Sequence, residues 1–210
     1  MDGITLIGTH RVLFVMAAKA EYGPALQSRI TPLMTGIGPV EAACATATTL
    51  ARLDAAGALP DLVVSLGSAG SARLEQARVY QIGAVGWRDM DASAFGFPRG
   101  VVPFLDLPEM LPITLRIEGL PVASLSTGAN VVSGAGYGAI AQDMVDMESY
   151  AVLRACQRFG LPMIGLRGVS DGVGEVTQIS DWTEYLHIID ERLAGAVDLL
   201  AAALAKGLLR

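Results

Sequence analysis

The chain has 210 residues, 52% of them hydrophobic and 17% charged, with a formal net charge of −6 and a mean hydropathy of +0.46. That length suits one domain with a sizeable core, and the acidic balance without a Lys/Arg cluster argues against nucleic acid or an anionic membrane as partner. The 24 glycines and 10 prolines cut the apolar runs well short of the roughly 18–20 residues that a membrane helix requires, so the surplus apolar surface is expected to meet another subunit. Asp2 stands where a secretory leader would need a basic segment, and the expected location is cytoplasmic.

Strand-like and helix-like segments alternate along the chain. Residues 11–16 are short, apolar and partly β-branched, and lead into a helix-compatible stretch at 17–27, a first βα unit. Residues 30–35 read as a strand. Gly36-Ile37-Gly38-Pro39 then turns into a long Ala-rich helix that closes near Gly57, with Pro in its first turn and Gly past its end. Residues 61–66 form a nearly continuous apolar run, as a strand buried on both faces should, and end in Gly67-Ser68-Ala69-Gly70-Ser71. Further strands are expected at 79–86, 121–126 and 163–169, and a last helix at 181–205 with Ser180 as its cap. Residues 88–118, with Pro98, Pro103, Pro108 and Pro112, show no regular pattern. Cys44 and Cys156 fall in apolar helical stretches and are expected as buried free thiols. His10 and His187 are far apart with no Cys at ligand spacing, so no zinc site is expected; the expected cofactor and metal content is none. The predicted fold is a single three-layer α/β/α domain, residues 1–210, around a central mixed sheet.

Two carboxylates stand where α/β proteins build their sites, outside the carboxyl ends of strands. Glu148 lies at a strand-to-helix junction in Val145-Asp146-Met147-Glu148-Ser149-Tyr150-Ala151. Asp171 follows the buried strand in Leu166-Arg167-Gly168-Val169-Ser170-Asp171-Gly172. Taken alone, Gly67-Ser68-Ala69-Gly70 and Gly36-Ile37-Gly38 are tight turns or places where backbone amides approach a ligand, and Glu21 is a solvated glutamate in a first helical turn.

Together these segments resemble, in order, the purine nucleoside phosphorylase and nucleosidase superfamily, and within it the 5′-methylthioadenosine/S-adenosylhomocysteine nucleosidases. The resemblance runs from about Arg11 to Ala205. It implies that Asp171 is the acid that protonates the leaving purine, oriented by Ser170, and that Glu148 binds the ribose with Met147 packed on the sugar. Glu21 would hold the attacking water in a cradle completed by Ser68 and Arg167. Ile37, Ala69, Gly70, Val131 and Val132 would contact the nucleoside. Asp89-Met90-Asp91-Ala92-Ser93-Ala94-Phe95-Gly96-Phe97 resembles the segment that reaches the partner's pocket in a homodimer, where Phe95 and Pro103 would line the 5′ subsite. The turn Ala17-Ala18-Lys19-Ala20-Glu21 decides between chemistries: the related phosphorylases carry a Gly-Asp-Pro-x-Arg phosphate loop there, whereas a carboxylate repels phosphate and holds water.

Two features depart from the family pattern. Ser126-Thr127-Gly128-Ala129-Asn130-Val131-Val132 stands where the family shows Ser-Gly-Asp-x-Phe-Ile/Val, so Asn130 or Val131 replaces the ring that stacks on adenine. The stretch between Pro112 and Pro121 is also shorter. The expected activity is hydrolysis of a 5′-modified adenosine such as 5′-methylthioadenosine, to adenine and a 5-substituted ribose. The alternatives are a nucleoside phosphorylase, a futalosine-type or hopanoid-pathway nucleosidase, and a nucleoside-binding protein without catalysis.

Overall fold

Apolar runs without polar alternation need cover on both faces, and the strands receive it. In the computed structural model, which describes residues 3–172, 174 and 178–209, strand β2 (His10–Met16) sends Leu13 and Val15 into one core and Val12, Phe14 and Met16 into another. β4 (Leu62–Gly70) and β9 (Met163–Asp171) divide the same way, Val63 and Met163 into the first core, Leu62, Val64, Leu66, Ile164 and Leu166 into the second. Helices α2 (Pro39–Ala55) and α3 (Ser149–Arg158) cover the first core. Helices α1 (Pro24–Gln27) and α5 (Leu186–Ala205) cover the second. The expected helix, sheet, helix layering is present.

Among the described residues the sheet has nine strands, the others being β1 (Ile4–Ile7), β3 (Leu33–Met34), β5 (Val79–Trp87), β6 (Met110–Pro112), β7 (Val122–Thr127) and β8 (Met144–Asp146). β2, β4 and β9 are mutually parallel, as are β5, β7 and β8. The two sets join antiparallel where β9 meets β5 and where Gly70 meets Val145, so β4, β9, β5, β7 and β8 close a ring. The carboxyl ends of both sets meet beside the Gly70–Val145 contact, and that is where the cleft opens.

Several expectations needed correction. Gly67-Ser68-Ala69-Gly70 is not a loop but the end of β4, because β9 pairs with it through Gly70 and Asp171. Residues 17–27 do not form one helix: Gly23 is extended before Pro24, as a residue preceding proline tends to be, leaving a 3-10 turn at Lys19–Glu21 and the short α1. Only Leu33–Met34 of the 30–35 run pairs as strand, since Pro32 has no N–H to give. The last helix starts at Leu186. Ser180 lies in a separate short helix, α4 (Ile179–Thr183), and this break lets Trp182 face the cleft while Leu186 and Ile189 enter the second core. Cys156 is buried, but Cys44 is exposed, because it sits two residues past Ala42 in the buried stripe Ala42, Thr46, Leu50, Leu53 and so points the opposite way. The 88–118 stretch does contain β6 and a 3-10 turn at Ser93–Phe95. Asp2 lies outside the described residues. No described helix is long and apolar enough to cross a membrane.

Candidate active site

The cleft has a volume of about 430 Å³. At its floor the 3-10 turn after β2 places Glu21 against β4. Glu21 is 6% exposed, and its Oε1 accepts hydrogen bonds from the Ser68 N–H at 2.7 Å and the Ser68 hydroxyl at 2.6 Å. Burial pushes the Glu21 carboxyl above its ordinary value; the Ser68 bonds and the Arg167 charge oppose this. The turn is held from below by Asp190 of α5, whose buried carboxylate accepts the N–H groups of Gly23, Ala25 and Leu26 at 2.8–3.1 Å. A Cβ on Gly23 would come within 2.5 Å of that carboxylate. Beneath the cleft, Glu21, Ser68, Glu148 and Arg167 border a cavity of about 10 Å³, close to the roughly 10–15 Å³ that one water needs.

The second group of charges stands at the end of β8. Arg167, 2% exposed, reaches Asp146 Oδ2 through Nη2 at 2.9 Å and Nε at 3.1 Å, and also donates to the Ser65 and Ser149 hydroxyls. Asp146 accepts the Ser149 N–H and the Thr127 hydroxyl, and Thr127 in turn accepts the Tyr150 N–H, so two residues outside α3 satisfy the free donors of its first turn. Glu148 sits at the N-cap of α3 and accepts the Gly38 N–H at 2.9 Å. Gly38 has φ +101°, a conformation that favours glycine, and it aims this amide. Burial first, and the charge of Asp146 second, raise the Glu148 carboxyl to about 7, against the Gly38 bond and Arg167.

Asp171 stands across the cleft at the end of β9. The register slips at Ala69/Gly70, leaving Ser170 without a partner on β4; such bulges re-aim side chains beside sites. The Ser170 hydroxyl donates to Asp171 Oδ1 at 2.6 Å and the Tyr137 hydroxyl to Oδ2 at 3.3 Å.

Of the residues expected from the sequence, Glu21, Ile37, Ser68, Ala69, Gly70, Val131, Val132, Met147, Glu148, Ser170 and Asp171 line the cleft together. Arg167 lies below it, in the small cavity, with its hydrogen bonds turned to Asp146 rather than to Glu21. Phe95, 85% exposed, and Pro103 do not border the cleft of their own chain.

Three lining residues carried no sequence signal, Arg88, Gln178 and Trp182, and Asp146 stands in the Glu148 motif without an assigned role. Arg88 donates to the carbonyls of Ser126, Asn130 and Asp146, and Gly128 admits it, since a Cβ there would lie 2.5 Å from Nε. That clamp shapes the loop bearing Asn130, Val131 and Val132. Trp182 donates its indole N–H to the Ser68 hydroxyl at 2.9 Å and is the one aromatic among the described lining residues. No group of three or more His, Cys, Asp or Glu that could hold a metal ion occurs among the described residues.

Comparison with known proteins bears on this geometry. The phosphorylase superfamily model matches residues 129–202, which span β8, α3, β9 and much of α5. The 5′-methylthioadenosine/S-adenosylhomocysteine nucleosidase of Haemophilus influenzae (strain PittEE) is 29% identical over 184 residues, 79% of this chain and 77% of the relative. Among solved structures, the native futalosine hydrolase of Helicobacter pylori strain 26695 superposes with a TM-score of 0.76 at 19% identity, covering 90% of this chain and 96% of that one. A mutant Helicobacter pylori nucleosidase with 5′-methylthioadenosine in its active site gives 0.75 at 19%, covering 90% and 98%. At such identities both structures share the fold, and the fold alone does not separate the two activities. The nucleosidase of Geobacillus thermodenitrificans (strain NG80-2) is 30% identical over 174 residues, 70% of this chain and 69% of the relative, and the chain belongs to the family of 5′-methylthioadenosine/S-adenosylhomocysteine nucleosidases.

Proposed function

We propose that the protein is an N-glycosidase that hydrolyses 5′-modified adenosines, 5′-methylthioadenosine first among them, to adenine and a 5-substituted ribose. The observation that carries this reading is Glu21: a buried carboxylate at the floor of the cleft, beside a cavity of one-water size. A phosphate there would meet three carboxylates, Glu21, Asp146 and Glu148, while Arg167 is engaged by Asp146 and Arg88 by backbone carbonyls. Water is the nucleophile that this arrangement accepts.

In the proposed reaction the proton of Asp171 passes to N7 of the purine while the C1′–N9 bond breaks and its electron pair enters the base. Positive charge then builds on the ribosyl ring, faced by Glu148, whose carboxylate holds the sugar hydroxyls. The oxygen of the water bonds to C1′ and one of its protons goes to Glu21. Burial raises the affinity of Glu21 for that proton, which suits a base working near neutrality. Return of the Glu21 proton to solvent and reprotonation of Asp171 complete the cycle.

The working unit is proposed to be a cytoplasmic homodimer. Ile37 and Val131 at the cleft, and Phe95 and Phe104 in the segment after β5, expose 56%, 66%, 85% and 94% of their surface, the kind of apolar surface that a second subunit covers. Phe95 and Pro103 would then complete the partner's 5′ subsite. Incubation with 5′-methylthioadenosine, with and without phosphate, tests the reaction. Free 5-methylthioribose at a phosphate-independent rate is expected. A sugar 1-phosphate as main product would replace the reading with phosphorolysis, and turnover of futalosine but not 5′-methylthioadenosine would favour the futalosine-type alternative.

A further inference from the structure

We propose that Tyr137 is a positioning residue for Asp171: its hydroxyl holds the carboxyl oxygen that gives up the proton, and stabilises the negative charge left there. The inference rests on the reading of Asp171 as the purine's acid. Ser170 donates to Oδ1 at 2.6 Å and Tyr137 Oη stands 3.3 Å from Oδ2, so Oδ2 is the less tightly held oxygen and the transferred proton is assigned to it. That distance is long for an O–H···O bond. Such bonds shorten when the acceptor becomes anionic, and catalytic bonds are often long before substrate binds. The bond is therefore stronger after proton transfer than before it, which is the difference that accelerates a step.

The surroundings are built for this contact. Tyr137 is 9% exposed and packs on Val132 and Val145, both of which line the cleft. A Cβ on Gly70 would lie 2.1 Å from Tyr137 Oη and 2.9 Å from Asp171 Oδ2, so the strand end is bare where hydroxyl and carboxylate meet. Burial, and then the charge of Asp171, raise the phenol above its ordinary value, so Tyr137 keeps its proton and remains a donor. The polar or charged residues around this pair include Ser170 on β9, Arg88 just past β5, which acts on the phenol, and, among the described lining of the cleft, Glu21, Ser68, Asn130, Asp146, Glu148, Gln178 and Trp182.

Four proteins test the inference: wild type, Tyr137→Phe, Asp171→Asn and the double variant. Tyr137→Phe is expected to lower kcat roughly tenfold, the scale of a hydrogen bond to a charged group, with KM within about twofold. In the Asp171→Asn background the same change should cost nothing further. A fluorinated tyrosine at this position, which keeps the ring and strengthens the donor, should hold kcat at or above the wild-type value with KM unchanged, and keeps the test available should the phenylalanine variant fold poorly. Wild-type kcat in Tyr137→Phe beside an impaired Asp171→Asn, or equal losses in both backgrounds, overturns the inference alone. Near-normal turnover in Asp171→Asn removes the acid assignment itself, and this inference with it.

Discussion

Glu148→Gln is expected to stabilise the protein in alkaline solution while abolishing most turnover. The Glu148 carboxyl is raised from 4.5 to about 7 by burial and by Asp146. A group that binds its proton more tightly folded than unfolded contributes stability that is fully present below pH 4.5 and lost as the pH rises through about 7. At roughly 1.4 kcal/mol per unit, the ceiling on that loss is about 3 kcal/mol; solvent at the open side of the cleft screens it, leaving about 1–2 kcal/mol. The introduced amide would keep a carbonyl for the Gly38 N–H and lose only the charge beside Asp146. Urea unfolding of both proteins between pH 5 and pH 8.5 reads the effect; the raised carboxyl of Glu21 is present in both, and because its charge also acts on Glu148 the difference reads position 148 together with its repulsion by Glu21. The curves should diverge with rising pH, the variant being the more stable by about 1–2 kcal/mol at pH 8. Parallel curves, or a less stable variant at pH 8, would refute the electrostatic reasoning.

Arg167→Met should cost about 3–5 kcal/mol of unfolding free energy, since it leaves Asp146 buried without its cation; a loss under about 1 kcal/mol in chemical denaturation would show that the pair carries little. Asp190→Ala, which strands three N–H groups at the start of α1, should cost about 2–3 kcal/mol and also lower kcat by loosening the Glu21 turn; stability lost with kcat intact would separate Asp190 from the site. Phe95→Ala should weaken 5′-methylthioadenosine binding by about 1–3 kcal/mol and leave adenosine nearly unaffected, if Phe95 lines the partner's 5′ subsite; equal losses for both ligands, or a fully active monomer by sedimentation, would displace it.

The legible parts of the fold were those with long one-sided or two-sided apolar patterns: β2, β4, β5, β7, β9 and α2 all lie within a few residues of where their runs place them. Short strands were not legible, because a three-residue element such as Met144–Asp146 is defined by its partners on β4 and β7 rather than by its own composition. Gly67-Ser68-Ala69-Gly70 reads as a turn because small residues carry no strand preference; pairing with β9 decides otherwise. The helix at 17–27 failed on Gly23-Pro24, a visible signal, and the break before Leu186 had no signal at all. Most residues carried by motifs line the cleft together, whereas Arg167 lies beneath it and Phe95 does not border it. Arg88, Trp182 and the Tyr137 contact come from segments without a motif, and their positions depend on long-range closure: the gap at Gly128 for Arg88, the break after α4 for Trp182, the missing Cβ at Gly70 for Tyr137. Cys44 went astray because an Ala-rich helix looks apolar all round, and only the stripe from Ala42 to Leu53 fixes which face is covered.

The central claim is that Glu21 makes this a water-using enzyme, and Glu21→Gln measured for both turnover and binding tests it most directly. The amide keeps an oxygen for the Ser68 donors but cannot take a proton from water. The account predicts that kcat for 5′-methylthioadenosine falls by roughly two or more orders of magnitude, while the Kd of the substrate, read calorimetrically on the inactive protein, changes by no more than a few-fold. Turnover within a few-fold of wild type, or recovery of turnover by phosphate with a phosphorylated sugar as product, would contradict it.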